Sequence, residues 1–350
     1  MRGKKTKKKL AYLLVALCVT AGIMAAYVFF IRPVNPGVAT GYVYIDNDDN
    51  ADSVLHKLEA AGDAYATAGY NVLAAVSSYG GHVKTGRYAI KPGESLFVVF
   101  RRMKNGMQSP VRLTVPSVRT IDRLSAELGK RLMVDSAQIM AALTDETVCH
   151  RLGYDTATIA AMFIPDTYDI YWNTSVDALL ERMKKENARF WDSGRIAKAK
   201  AMNLSPVEVY TLASIIDEET ANNGEKPMVA GMYYNRLTLR NGEYPHGMPL
   251  QADPTIKFAW KRFDLRRIYH SLLDIDSPYN TYRYPGLPPG PIRIASVAGI
   301  DAVLNHVKHD YIYMCAKEDF SGTHNFARSY GEHLANARKY TEALNRRGIR

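Results

Sequence analysis

The segment SPVEVYTLASIIDEET, residues Ser205–Thr220, predicts a helix that ends in three adjacent acids. Ser205 with Glu208 three residues later forms a capping box, and Pro206 stands in the first turn, where a helix tolerates proline. Negative charges near the C-terminal end of a helix are unfavourable by about 0.3–1 kcal/mol each. The three acids therefore require a compensating structural or chemical role.

The positions of the three acids around the helix distinguish one of them from the others. At about 100° per residue, Glu219 continues the apolar stripe that contains Leu212 and Ile215, whereas Asp217 points nearly opposite and Glu218 about 100° away. Burial raises the pKa of a carboxyl, which can then act as a general acid, and a charged Glu218 beside it would raise the pKa further. Asp217 and Glu218 are expected on wetter faces, in the ionised form. The alternative is that Glu219 lies at the rim of the stripe and pairs with an arginine.

Three loops rich in polar and aromatic residues follow this helix and indicate a carbohydrate cleft. They are HGMPLQADPT (His246–Thr255), SPYNTYRYPGLPPGPI (Ser277–Ile292) and GTHNFA (Gly322–Ala327), which we expect to be irregular or turn segments. Aromatic faces beside amide and hydroxyl groups suit the CH faces and hydroxyl rings of sugars. The candidate substrate-binding residues are Gln251, Asp253, Thr255, Tyr279, Asn280, Thr281, Tyr282, His324 and Asn325.

The overall charge of the chain does not indicate nucleic-acid binding. The 350 residues carry a net charge of +10, but six basic residues precede Leu10, which leaves +4 on the rest of the chain. The sequence has no basic stripe with interleaved aromatics and no zinc-finger or RNP-type pattern. We therefore predict no nucleic-acid partner.

The histidines and cysteines predict no metal or other cofactor. The nine histidines form no HExxH or other close ligand pair, and His306 with His309 alone is a surface coincidence. Three cysteines are too few for a disulfide framework. Cys18 lies in an apolar run, which leaves Cys149 and Cys315 as one possible pair.

The N-terminus has the pattern of a membrane anchor. A basic tail (residues 1–9) precedes an uncharged run (residues 10–31), and about 20 apolar residues span a bilayer as a helix. The basic cluster places the N-terminus in the cytoplasm and the rest outside a bacterial plasma membrane. A cleaved signal peptide is the alternative, but its apolar stretch is about 7–15 residues and ends in an A-x-A-like site. A lipoprotein signal at Cys18 is disfavoured because Leu17 stands where a small residue is needed.

The soluble part divides into a linker and two α+β domains. Residues 32–40 are rich in proline and glycine and form the linker. Residues 41–116 contain two strand patterns, GYVYID and GRYAI, and two helix patterns, the first capped by Asn50 or Asp52 and the second by Ser95. Residues 117–350 form a larger mixed α+β domain.

Several motifs in this order resemble the endolytic murein transglycosylases of the YceG-like type. The motifs are LASIIDEET, YYNRL, MPLQADPT, SPYNTYRYPGLPPGPI and GTHNFA, and the resemblance runs from the anchor to about residue 345. It implies that Glu219, just before Thr220, is the catalytic acid, and that residues 41–116 form a LysM-like, glycan-binding module. The chain departs from the family pattern at Glu218, where many relatives carry lysine, and in the helix before PDTY (Pro165–Tyr168).

The resemblance also implies an activity and partners. The enzyme would cleave the β-1,4 bond between N-acetylmuramic acid (MurNAc) and N-acetylglucosamine (GlcNAc) within glycan strands, leave a 1,6-anhydro end and limit nascent strand length. It would need no cofactor, and its partners would be peptidoglycan strands and cell-wall synthases such as penicillin-binding proteins. Two alternatives stay open: a hydrolase that uses Asp253 as a second carboxylate, and a non-catalytic, wall-binding scaffold.

Overall fold

A computed structural model describes residues 2–265 and 267–348 of the chain, and the fold is of the mixed α+β class. The chain divides into two compact units. Unit 1 consists of Met1–Leu113, Arg131–Val134 and Tyr168–Thr174, and unit 2 consists of Thr114–Lys130, Asp135–Thr167 and Ser175–Arg350.

The first helix has the length and composition of a membrane span. Helix α1 covers Arg2–Phe30, and its segment Lys7–Phe30 reaches a mean hydropathy of 2.4. Side chains along that segment are largely exposed, except near its end, where Phe29 packs against the core of unit 1 and Phe30 lies against Phe97. By length and composition, this helix is a candidate single-pass span.

Unit 1 is built on a two-stranded antiparallel sheet. Its elements after α1 are β1 (Gly41–Ile45), α2 (Ala51–Ala61), α3 (Tyr70–Val76), β2 (Gly86–Ile90), α4 (Leu96–Lys104), β3 (Val111–Thr114) and, later in the chain, β4 (Thr167–Ile170), which pairs with β3. In the sheet, Gly41 of β1 lies opposite Ile90 of β2. Both predicted strands are therefore confirmed. The LysM-like character of residues 41–116 stays a prediction.

Local capping signals set the helix starts of unit 1. The Asn50 side chain accepts hydrogen bonds from the backbone nitrogens of Asp52 and Ser53, so Asn50, not Asp52, caps α2. Ser95 precedes α4 as predicted, but its side chain makes no capping hydrogen bond.

Unit 2 is mostly helical. Its helices and strands are α5 (Ile121–Gly129), α6 (Ser136–Thr144), α7 (Glu146–Leu152), α8 (Val176–Phe190), α9 (Ser193–Ala201), α10 (Pro206–Glu219), α11 (Lys226–Thr238), α12 (Asp253–Ala259), α13 (Val297–Leu304), β5 (Tyr313–Ala316), β6 (His324–Ala327) and α14 (Tyr330–Arg346).

Helix α10 lies in the core of unit 2. The predicted capping box is present, because the side chains of Ser205 and Glu208 each bond the backbone nitrogen of the other residue. Every residue from Val209 to Ile216 is buried, against α11 and α13 among others. The Tyr210 hydroxyl donates to the carbonyl of Phe163 at 2.7 Å and anchors the helix from within. Since α10 is buried on all sides, its C-terminal acids meet other parts of the chain.

Two segments predicted as irregular belong to regular elements. Residue Asp253 begins α12, with Pro254 in the first turn, where its missing N–H group costs nothing. GTHNFA was expected to be a turn, but His324 begins β6, which pairs antiparallel with β5 so that His324 lies opposite Ala316. Both Cys149 and Cys315 are free thiols.

Candidate active site

The first acid at the end of α10, Asp217, belongs to a buried ion pair. Its side chain is 3% exposed and lies 2.7 Å from the ammonium of Lys226, which is 7% exposed. The backbone nitrogen and hydroxyl of Ser296 donate to the same carboxylate at 2.6 and 2.8 Å. A side chain at Gly299 would come within 2.6 Å of Asp217 Oδ1, so α13 can approach only with glycine there. The predicted wet face is wrong for Asp217, because α13 covers it.

The second acid, Glu218, is also enclosed, which again corrects the predicted wet face. Arg119 Nε donates to its carboxylate at 2.8 Å and an Arg293 terminal nitrogen donates at 2.9 Å. Its side chain is 9% exposed. Two cations on one carboxylate hold the end of α10 to the segments that contain Arg119 and Arg293.

The third acid, Glu219, differs from its neighbours because it has no ion-pair partner within residues 2–265 and 267–348. Its Oε1 accepts a hydrogen bond of 2.7 Å from the hydroxyl of Tyr233. Burial raises the pKa of Glu219, the Tyr233 hydrogen bond opposes that effect, and the nearby charge of Asp253 raises the pKa further. The like-charge repulsion on Glu219 therefore comes from Asp253, whereas the sequence predicted that it would come from Glu218.

Glu219 faces a polar cavity of about 260 Å³ in unit 2. The lining consists of Glu219, Met232, Tyr233, Arg236, Gln251, Asp253, Tyr282, Met314, Cys315, Ala316 and His324. Five of the predicted site residues are among them, namely Glu219, Gln251, Asp253, Tyr282 and His324. These residues come from four separate segments, so the fold brings together side chains that are far apart in the sequence.

The other predicted site residues lie outside this lining. Thr255, Asn280 and Thr281 are buried. Thr281 accepts hydrogen bonds from the backbone nitrogens of Gln251 and Ala252 at 2.9 and 3.0 Å, and its hydroxyl lies 2.8 Å from that of Thr255. As placed, these buried groups support the cavity wall from behind. Tyr279 lines a different cavity, and the Asn325 amide donates to Glu318.

The backbone of Gln251 is in the left-handed region, with φ of 52°. This conformation is rare for residues other than glycine, and such strain is concentrated at functional sites. The hydrogen bond from its nitrogen to the Thr281 carbonyl holds the strained turn. The exposed side chain of Gln251 is thereby fixed at the cavity, next to the start of α12.

A buried arginine, Arg236, fastens two walls of the cavity to α11. Its guanidinium donates to the carbonyl of Leu250 at 2.7 Å and to the carbonyl of Ile312. Burial lowers the pKa of Arg236. These bonds link the segment that leads to Gln251 with the segment that leads to β5.

The imidazole of His324 is held by the buried carboxylate of Glu225. His324 Nδ1 lies 3.1 Å from one Glu225 oxygen, and the His324 backbone nitrogen donates to the other oxygen at 2.6 Å. With its proton on Nδ1, the ring has Nε2 left over for a ligand. The Tyr282 hydroxyl donates in a similar way to Asp253 and fixes that carboxylate.

A family model matches most of the chain, over residues 43–339. The chain belongs to the YceG-like family. It is 28% identical over 278 residues to an endolytic murein transglycosylase of Bacillus subtilis (strain 168), covering 75% of this chain and 74% of the relative. It is 26% identical over 264 residues to an endolytic murein transglycosylase of Streptococcus pneumoniae (strain D39), covering 67% of this chain and 46% of that relative.

The fold of this YceG-like chain is similar to that of a solved structure. The crystal structure of a yceG-like protein from Listeria monocytogenes superposes with a TM-score of 0.53 at 23% identity. The match covers 85% of this chain and 99% of that protein. The likeness concerns the fold alone.

Tyr233 and Arg236 are cavity residues that the polar and aromatic loops did not predict. Both lie on α11, and the only sequence signal was their presence in the YYNRL motif of the YceG-like resemblance. A spacing of three residues places them on one helix face. The site can therefore supply a carboxyl with a raised pKa, a tyrosine that orients it, and polar groups from the loops. Within residues 2–265 and 267–348, no cluster of three or more His, Cys, Asp or Glu side chains could hold a metal ion.

Proposed function

We propose that this chain is a lytic transglycosylase that cleaves the MurNAc–GlcNAc bond within murein glycan strands. One observation carries the proposal: of the three acids at the end of α10, only Glu219 has no cationic partner within the described residues, and it faces a cavity. Burial raises its pKa, as general-acid catalysis near neutral pH requires. The relatives named endolytic murein transglycosylases support the same activity.

In the proposed reaction, one carboxyl serves as acid and then as base. Tyr233 donates to Oε1 of Glu219, which leaves Oε2 to carry the proton. Glu219 gives that proton to the bridging oxygen as the bond from C1 of MurNAc to this oxygen breaks. The carboxylate then accepts the proton of the C6 hydroxyl while O6 attacks C1. The ring closes as a 1,6-anhydro end without water, and Glu219 is protonated again.

Hydrolysis is the second candidate, and the position of Asp253 favours it. This carboxylate lines the same cavity as Glu219 and interacts with it electrostatically. Glycosidases use two such carboxylates, one as acid and one as base or nucleophile. A hydrolysed product would have a free reducing end, so the product distinguishes the two reactions.

We further propose that α1 anchors the enzyme in a bacterial plasma membrane with the N-terminus in the cytoplasm. The basic residues before the apolar segment favour this orientation. The unit 2 cavity would then face the wall, where it would limit the length of nascent strands. Cell-wall synthases, such as penicillin-binding proteins, are proposed partners.

Unit 1 would provide a second glycan-binding site, in keeping with a LysM-like module. Tyr42 and Tyr44 are exposed on β1, and the Arg87 guanidinium lies 3.4 Å from the centre of the Tyr42 ring. Trp172 packs edge-on against Tyr44 with 5.1 Å between the ring centres. Such a rigid aromatic surface suits the CH faces of sugars.

The substitution Glu219→Gln tests the catalytic assignment. It keeps the size and hydrogen bonding of the side chain but removes the exchangeable proton, so release of soluble fragments from glycan strands should fall by about 10²–10⁴-fold. Exposed Glu342 on α14 provides the control, because Glu342→Gln should leave the rate unchanged. Normal activity of a folded Glu219→Gln protein would show that another group is the catalytic acid. If the wild-type protein binds glycan strands but does not cleave them, the result would favour the alternative of a non-catalytic, wall-binding scaffold.

A further inference from the structure

A second cavity in unit 2, of about 290 Å³, is lined by the two arginines that bind Glu218. It has no lining residue in common with the Glu219 cavity. Its volume is close to the lower end of the range for small-molecule sites, about 300–1,000 Å³. The cavity therefore suits a small ligand.

Most of the wall of this cavity is apolar. Phe258 and Tyr279 pack against each other with 4.7 Å between their ring centres and form one side. Ile121, Met140 and Ile294 contribute aliphatic surface to the rest. The transfer of a small apolar group of a ligand from water to this wall would be favourable.

Two cations at this wall have donors that no protein group uses. Arg119 is 50% exposed and its guanidinium lies 5.9 Å from the centre of the Phe263 ring. Only its Nε donates, to Glu218, so within residues 2–265 and 267–348 its terminal nitrogens make no hydrogen bond. The Lys261 ammonium lies 3.7 Å from the centre of the Phe258 ring and, in the same ranges, pairs with no carboxylate. With Arg293, the wall holds three cations. They are opposed by the carboxylate of Asp122 in the wall and by that of Glu218, which lies outside the lining and binds both arginines. One positive charge remains.

The backbone at Lys261 supports a role for this side chain. Its φ is 54°, in the left-handed region just after α12, at a position that is usually glycine. Lys261 is exposed at the cavity, so its ammonium is accessible to a ligand carboxylate.

We infer that this cavity binds a carboxylate that carries a small apolar group, with Arg119 and Lys261 on the carboxylate and the Phe258–Tyr279 pair on the apolar group. Arginine offers a planar pair of donors that matches a carboxylate, and lysine adds a point charge. The C-terminal alanine of a peptide has this chemistry.

The source of the carboxylate follows from the proposed function, on which this step rests. Muramic acid residues of wall glycan carry short peptides that end in a carboxylate. Helix α12 contributes Asp253 to the Glu219 cavity and Phe258 to the second one, and the 279–282 segment likewise contributes Tyr282 and Tyr279. A strand at Glu219 could thus place a peptide stem in the second cavity, which would favour strands with peptides over bare glycan.

Binding of a defined probe tests the cavity itself. N-acetyl-D-alanyl-D-alanine is titrated calorimetrically into the full-length Glu219→Gln protein in detergent, and its C-terminal amide serves as the matched neutral probe. The acid should bind at least about tenfold more tightly than the amide, and Lys261→Met should weaken the acid by about tenfold. Lys200→Met, which changes an exposed lysine of α9, should have no effect. Equal binding of acid and amide, or an unchanged Lys261→Met protein, would overturn the inference.

A second variant closes the cavity from outside. Thr144 is exposed at the end of α6 and lines the cavity, so Thr144→Trp should block probe binding without disturbing the core. Retention of full binding by the folded Thr144→Trp protein would contradict the assignment.

Comparison of two glycans identifies the source of the carboxylate. Strands with peptide stems should bind the Glu219→Gln protein more tightly than strands stripped of peptide, and Lys261→Met should abolish the difference. Equal binding of both strands, with the free probe still bound, would reject the stem and assign the site to a free small acid. Because every readout is binding, a failure of the proposed catalytic activity would not change these results.

Discussion

Replacement of Asp217 by asparagine should destabilise the fold rather than remove a catalytic group. The carboxylate accepts from Lys226 at 2.7 Å and twice from Ser296, whereas an asparagine has one acceptor oxygen for these three donors. The Lys226 ammonium would remain buried without its counter-charge. Breaking a buried ion pair by removing one partner costs about 3–5 kcal/mol. For a unit of this size, that loss corresponds to a fall in Tm of about 6–20 °C.

The assay is urea and thermal unfolding of the full-length protein, with Asp301→Asn as a matched control. Asp301 pairs with Arg195 at 3.2 Å, but the side chains are 40% and 27% exposed, so its loss should cost about 0–1 kcal/mol. Equal destabilisation by Asp217→Asn and Asp301→Asn would refute the view that the Asp217–Lys226 pair holds the end of α10. Activity per folded molecule should fall far less than in Glu219→Gln.

Three further predictions follow from the site and the two units. Burial raises the pKa of Glu219 in the folded protein above its ordinary value of about 4.5. The free energy of unfolding of the wild type, measured in urea, should therefore fall relative to that of Glu219→Gln as the pH rises from about 4.5 through the folded pKa. Below about pH 4.5 the two proteins should have the same free energy of unfolding. N-terminal sequencing of membrane-extracted protein should show that residues 1–31 are retained; a start after residue 20 would contradict the anchor. Joint replacement of Tyr42 and Tyr44 by alanine should weaken binding of long glycan strands, whereas Tyr65→Ala, at another exposed tyrosine, should not.

The elements that the sequence predicted correctly depend on local signals. Capping by Ser205 and Asn50 acts over three residues, and the alternation of side chains along β1 reflects its one buried face. The positions of residues around the helix likewise separated Glu219 from Asp217 and Glu218, because the apolar stripe that Glu219 continues is visible within the helix sequence; its catalytic role stays a prediction.

The failures concern contacts between distant segments. The positions of residues around a helix describe that helix in isolation. They predicted solvent-exposed faces for Asp217 and Glu218, which α13 and Arg119 cover in the fold. The cavity residue Arg236 could not be found from loop composition, because it lies on a helix and acts through backbone carbonyls. Thr281 is buried because its loop packs against other segments, and the polar composition of that loop does not indicate this burial.

The central claim is that Glu219 alone transfers both protons and that the C6 hydroxyl, not water, attacks C1. Mass analysis of the products released from purified glycan strands tests it most directly. We predict 1,6-anhydro ends, one water lighter than hydrolysis products, from the wild-type protein and almost none from Glu219→Gln. Free reducing ends from the wild type, lost on Asp253→Asn, would contradict it and establish hydrolysis with two carboxylates.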